Sequence, residues 1–219
     1  MNIQDKAFFC SWSGGKDSCL ALYRAMANGG RPASLLTILA EGGLRSRSHG
    51  LPLQVLQNQA RSLGIPLLVR AASWEEYTRV FSEVLREFKS KGLDIGVFGD
   101  IDIEGHLQWV ESVCKPIGIK PYHPLWQQSR KQLLTDFLEA GFKATIVVVE
   151  ASKLDKSFLG RELSAAVLEE IEAAGADAAG ENGEYHTVVT DGPIFSTPVP
   201  IKLGELFEED GYCFINLEG

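Results

Sequence analysis

Between residues 7 and 123, short unbroken apolar runs take turns with stretches whose apolar residues recur every three or four positions. With a short extended piece at 119–123 beside them, the runs at 7–12, 34–40, 66–70 and 95–99 are too short for helices. They also lack the apolar–polar alternation of half-exposed strands, so they read as strands buried on both faces. Residues 19–26, 52–63, 74–88 and 103–115 have helical spacing. Trp74, Tyr77, Val80, Phe81, Val84, Leu85 and Phe88 make one such stripe, and Pro52 suits a first helical turn. Strand, helix, strand, helix in this form predicts an α/β fold: a parallel sheet with helices on both faces and right-handed crossovers.

The pattern changes after Pro124. A helix at 128–140, a strand at 143–149, a helix at 162–174 and a Gly- and Ala-rich segment at 173–183 follow. Two strand-like pieces, 187–190 and 212–216, close the chain. Two domains are expected, 1–124 and a smaller α+β unit at 125–219, with no flexible linker between them. A chain of 219 residues with 45% hydrophobic side chains supports cores of that size. The net charge of -8 excludes a uniformly basic surface coating nucleic acid. Cys10, Cys19, Cys114 and Cys213 form no C-x-x-C pair, so buried thiols in a reducing compartment are expected rather than a disulfide or metal scaffold. Residues 1–6 are polar, and no stretch approaches the ~18 apolar residues of a membrane span. A cytoplasmic protein without a membrane partner is expected.

The sharpest local signal is Ser13-Gly14-Gly15-Lys16-Asp17-Ser18, directly after the first strand and at a helix start. Two glycines let backbone approach a ligand, and the helix start presents N–H groups and positive dipole. Hydroxyls and a lysine complete an anion hole. The string is neither a Walker A loop nor G-x-G-x-x-G. It resembles the S-G-G-x-D-S signature of the PP-loop ATP pyrophosphatases, which cut ATP between its α and β phosphates. The structural alternative is a capped turn.

Residues 180–187 read Gly-Glu-Asn-Gly-Glu-Tyr-His-Thr, followed by Asp191-Gly192-Pro193-Ile194-Phe195. Carboxylates, amide, phenol, imidazole and hydroxyl crowd into a few positions, where burial without partners is costly. On composition alone, a solvated loop leading into a strand remains the competing reading.

Together, the two strings resemble the diphthine–ammonia ligase family of PP-loop, adenine-nucleotide α-hydrolase-like proteins. Gly99-Asp100-Ile101, Glu111-Ser112-Val113-Cys114, Pro124-Leu125-Trp126 and Phe158-Leu159-Gly160-Arg161 are similar to family landmarks, so the resemblance spans almost the whole chain. It departs at Arg45-Ser46-Arg47-Ser48-His49-Gly50, at Asp100 and at His186, which resembles a shorter, prokaryote-like form. The resemblance implies a Rossmann-like ATP domain at 1–124 and a smaller substrate domain at 125–219. Its reaction activates a carboxylate with ATP, then forms an amide with ammonium.

ATP and magnesium are the implied cofactors. Ser11, Ser13, Gly14, Gly15, Lys16, Asp17, Ser18, Gly99 and Asp100 are the candidate ATP residues, Asp17 and Asp100 also facing magnesium at strand ends. Leu39 and Ala40 would meet adenine or ribose, by family analogy. His49, in a candidate lid at 41–50, would touch a phosphate or serve as a plain polar loop residue. Lys16, Asp17, Glu181, Glu184 and His186 are the catalytic candidates, Glu184 as the base for ammonium. Asn182, Gly183, Glu184, Tyr185, His186 and Thr187 would line the acyl side. Arg161 would bind a substrate carboxylate or be a surface charge. The acid is either protein-bound diphthine or a small molecule, and free ammonium or a partner supplies nitrogen. Trp109 and Trp126 suit a core or a homo-oligomer interface.

Two rivals remain. A PP-loop sulfur-transfer enzyme acting on tRNA wants paired cysteines and a basic surface. A non-catalytic ATP-binding sensor would not need Lys16, Asp17 and the second motif.

Overall fold

The computed structural model describes residues 1–47 and 49–218. The chain forms two compact units. One comprises Met1–Ser13, Asp17–Arg47 and Ile65–Gln128; the other comprises Gly14–Lys16, Ser48–Gly64 and Ser129–Gly219. Three residues of the glycine-bearing loop and the segment around His49 thus group with the C-terminal half of the sequence.

The first unit is built on five parallel strands: β1 (Ala7–Ser11), β2 (Arg31–Leu39), β3 (Leu67–Ala71), β4 (Ile95–Val97) and β5 (Lys120–Tyr122). Their order is β3-β2-β1-β4-β5. Cys10 of β1 lies opposite Leu35 on one side and Val97 on the other. The direction of winding therefore reverses at β1, and the crevice outside the carboxyl ends of β1 and β4 is where such sheets hold ligands.

The helices of this unit are α1 (Lys16–Ala27), α3 (Tyr77–Ser90) and α4 (Glu104–Cys114); α2 (Leu53–Leu63) belongs to the other unit. Phe9, Leu36 and Ile38 pack with Val80, Phe81, Val84, Leu85 and Phe88 of α3 and with Val110, Val113 and Cys114 of α4. The Phe9 ring stacks on Phe88 at 4.7 Å between centroids. Burying one such aromatic contributes about 1.5–3 kcal/mol. Phe8 and Cys10, fully buried, point to the opposite face because side chains alternate along a strand. The α3 stripe read from the sequence starts too early: Ser73 Oγ accepts the Glu76 N–H and the helix begins at Tyr77, leaving Trp74 71% exposed.

The second unit holds α2, α5 (Arg130–Glu139), α6 (Ala165–Ala173) and an antiparallel sheet of β6 (Lys143–Glu150), β7 (Tyr185–Asp191), β8 (Lys202–Glu209) and β9 (Tyr212–Glu218), ordered β7-β6-β9-β8. Ser129 and Ser164 cap α5 and α6 by accepting the N–H groups of Gln132 and Val167. β6 is central and buried from Ala144 to Val149.

β8 escapes the sequence reading, which expects only two closing strands. It is an edge strand, exposed along nearly its whole length, so glutamates interrupt its apolar positions. The signal available was Asp210-Gly211, both at positive φ (49° and 83°), the dipeptide that joins two strands in a two-residue hairpin.

Candidate active site

In the first unit, the loop leaves β1 with the Ser13 and Ser18 hydroxyl oxygens 3.0 Å apart, closing the bend. Asp17 lies in the first turn of α1, where the helix dipole favours a carboxylate. Gly99 follows β4, and a Cβ there would come within 2.9 Å of the Asp17 carbonyl carbon. Glycine at 99 therefore lets the end of β4 touch the start of α1.

Asp100 faces two imidazoles: His123 Nδ1 at 3.2 Å from Oδ2 and His106 Nδ1 at 3.8 Å from Oδ1. His123 is buried against Phe98, its ring stacked at 5.5 Å. Neither histidine is anticipated from the sequence; only their places near strand and helix ends hinted at it. Among the described residues no cluster of three or more His, Cys, Asp or Glu can hold a metal ion. Two carboxylates suit magnesium that arrives on a phosphate chain, since this ion keeps several waters and phosphate oxygens as ligands.

The end of β2 is closed by its own loop. The Ala40 N–H donates to Arg45 O, and Leu39 bridges to Ser46. Leu39 is buried and Ala40 half-buried, so the main-chain donor at Ala40 is already engaged. Ser48 of the candidate lid lies outside the described residues.

In the second unit, residues 14–16 lie along β7. Val189 N–H donates to Gly14 O, and the Lys16 N–H donates to Thr187 Oγ1 at 3.1 Å. Gly14 takes φ of 83°, and a Cβ there would meet Leu51 at 2.6 Å and Gln59 at 2.7 Å. Gly15 makes room for a ring: a Cβ would sit 2.2 Å from His49 Cε1. The His49 Nδ1 lies 2.8 Å from Thr187 O, which requires a proton on Nδ1. The His186 ring is 4.7 Å from His49, and the Lys16 ammonium, itself buried, lies 5.6 Å above the Tyr185 ring. Burial first, then His49 and Lys16, hold His186 well below the ordinary imidazole pKa, so it is neutral at pH 7. The structure thus joins Gly14, Gly15, Lys16 and His49 to Tyr185, His186 and Thr187.

The rest of the second motif folds onto itself. Glu184 is 4% exposed; Oε1 accepts from Asp177 N and Asn182 Nδ2, and Oε2 accepts from Asn182 N. Asp177, missed from the sequence, accepts the N–H groups of Ala179 and Glu181 and pairs with Arg130 at 2.6 Å. Tyr185 OH donates to Ala178 O. Gly180 and Gly183, at φ of 72° and 85°, permit the bends. Glu184, expected as a base, thus has its carboxylate turned into its own loop. Arg161, expected to take a substrate carboxylate, holds Glu170 by both arms at 2.7 Å.

Gln59 is also missed, although its signal was present. It sits in the apolar stripe of α2 with Val55, Leu56 and Ala60, where a fully buried glutamine needs a partner. All four cysteines are buried free thiols, and burial raises Cys10 and Cys19 and pushes Cys114 up to about 12. No helix among the described residues is long and apolar enough to cross a membrane.

The diphthamide synthase N-terminal domain model matches residues 7–121, and the diphthamide synthase C-terminal domain model matches residues 129–218. The diphthine–ammonia ligase of Rattus norvegicus is 27% identical over 219 residues, covering 88% of this chain and 82% of the relative. That of Homo sapiens is 27% identical over 89% of this chain and 82% of its own. Among solved structures, a predicted subunit of tRNA methyltransferase from Methanocaldococcus jannaschii aligns at 16% identity with a TM-score of 0.45, covering 85% of this chain and 99% of that one.

Proposed function

The chain belongs to the diphthamide synthase family, and from that premise we propose that it is an ATP-dependent ligase which activates a carboxylate as its acyl-adenylate and forms an amide with ammonium. The observation that carries this reading is the binding of Gly14–Lys16 to the strand bearing Tyr185-His186-Thr187. Two motifs far apart in sequence form one unit, as expected if both serve a single reaction.

A carboxylate oxygen leaves too poorly for ammonia to displace it, and transfer to AMP supplies a leaving group. In this reading residues 1–124 bind ATP and residues 125–219 bind the acid. The backbone of Gly14 and Gly15, with Ser11, Ser13, Lys16 and Ser18, takes the charge that grows on departing pyrophosphate. Gly99 brings the end of β4 against the start of α1, and Leu39 and Ala40 flank the base. His49, protonated on Nδ1, borders the phosphates. Magnesium, which would be held by Asp17 and Asp100, supplies charge neutralisation on the phosphate chain.

On the acyl side, neutral His186 and the Tyr185 ring border Lys16, and Asn182, Gly183 and Thr187 are assigned to the acid. The proton that ammonium must lose is assigned to Glu181 ahead of Glu184, whose oxygens already hold three N–H groups. The acid is protein-bound diphthine, as in the relatives' names, or a small carboxylate. Buried, protonated thiols speak against sulfur transfer, since the thiolate is the reactive form.

The test incubates the protein with ATP, magnesium, ammonium and candidate acids. AMP and pyrophosphate should appear only with an acid, and Lys16→Ala and Asp17→Ala should each abolish them while remaining folded. ADP as product, or full turnover by both variants, would overturn the proposal.

A further inference from the structure

Trp74 is 71% exposed, yet its ring has fixed neighbours. Arg47 Cζ lies 4.3 Å from the centroid of the indole, and Arg47 Nη2 donates to Ala72 O. Arg47 Nε is buried and has no hydrogen-bond partner among the described residues. A buried N–H without an acceptor is costly, so the stacked geometry is kept although that bond is missing. The Tyr77 ring stands beside the indole, 6.0 Å between centroids and tilted by 43°. One face of the indole thus carries a cation, and the exposure of the residue leaves the other face to water.

The indole stands at the end of the parallel sheet where such folds hold ligands. Ala71, which ends β3, lies opposite Leu39, which ends β2, and Trp74 follows three residues later. The Ala72 N–H donates to Leu39 O, the Ala40 N–H to Arg45 O and the Gly43 N–H to Ala40 O. The donor that Ala40 could offer to the edge of a base is therefore engaged by its own loop. A purine at this place is held by its face, and the exposed indole supplies a flat apolar partner.

We propose that Trp74 is a base-stacking residue: it receives the adenine of the nucleotide on the indole face opposite Arg47. This rests on the reading of residues 1–124 as the ATP-binding part.

Calorimetric titration of Trp74→Ala with AMP should show binding weakened about tenfold or more, the size of one base–aromatic stack. Inorganic pyrophosphate should bind as tightly as to the wild type. Trp74→Phe keeps a ring and should retain most of the AMP affinity. AMP should quench the tryptophan emission of the wild type, and that quenching should be lost in Trp74→Phe. Both variants change an exposed side chain and should fold. If the wild type binds neither AMP nor pyrophosphate, the ATP reading itself fails. If the wild type binds AMP and Trp74→Ala binds it equally well, the stacking role alone fails. Equal weakening of AMP and pyrophosphate would mark a general loosening and would also overturn that role.

Discussion

The Lys16 backbone N–H and the Thr187 hydroxyl oxygen, 171 positions apart, meet at 3.1 Å. One residue comes from the glycine-bearing loop and the other from the strand of the second motif. Thr187 is 1% exposed, so its hydroxyl has been taken out of water to make this contact.

Replacing Thr187 by valine keeps the shape and leaves the Lys16 N–H without its acceptor. A buried unsatisfied donor costs about 1–3 kcal/mol. The melting temperature should fall and pyrophosphate affinity with it, and Thr187→Ser should restore both. A harmless valine, or a loss that serine does not restore, would rule the hydrogen bond out.

Gly15 carries no positive φ, so its need for glycine is steric and comes from His49. Gly15→Ala should lose nucleotide binding by more than tenfold, since a 2.2 Å contact cannot persist and the ring must leave. The double variant Gly15→Ala, His49→Ala should recover much of that binding. Equal losses in the single and double variants, measured by titration with ATP, would assign the glycine to some other cause.

His186 has its pKa lowered below the ordinary 6.5 by burial, His49 and Lys16. The unfolded chain therefore binds a proton at this site more readily than the folded chain does. The stability due to neutral His186 is complete above pH 6.5 and is lost as pH falls below it, by up to about 1.4 kcal/mol per pH unit. Urea midpoints at pH 5.5 and 7.5 should differ in the wild type and differ less in His186→Asn. An identical pH dependence in the variant would place the effect elsewhere.

Glu184→Gln separates an organising carboxylate from a catalytic one. Glutamine would turn an NH2 toward N–H groups that now point at carboxylate oxygens, and charge-assisted bonds of this kind contribute about 1.5–3 kcal/mol. Thermal unfolding should move down by several degrees, with pyrophosphate binding retained. An unchanged melting temperature with amide formation abolished would return Glu184 to the role of base.

The parallel sheet was legible because its inner strands β1, β2 and β4 carry runs of buried residues and its helices carry continuous apolar stripes. Phe9 and Phe88 declare their surroundings by chemistry alone, and the loop after β1 declares a tight bend through its glycines. β8 was not legible, since an exposed edge strand has no core to impose a pattern on its residues.

Partnership was equally hidden at the site. Glu184 reads as a free base until Asp177 and Asn182 are found on its oxygens, and Arg161 reads as a carboxylate receptor until Glu170 fills it. Burial and periodicity follow from local spacing, and the sequence alone determined them here: strand, helix, loop and the placing of two polar motifs. Which groups share a hydrogen bond depends on how the chain folds back on itself, over 7 residues for Asp177 and Glu184, 9 for Arg161 and Glu170, and 130 for Gln59 and Val189. Only the tertiary structure could decide that Gln59 and Val189 both donate to the Gly14 carbonyl, because a hydrogen bond requires atoms within about 3 Å and sequence distance carries no such information.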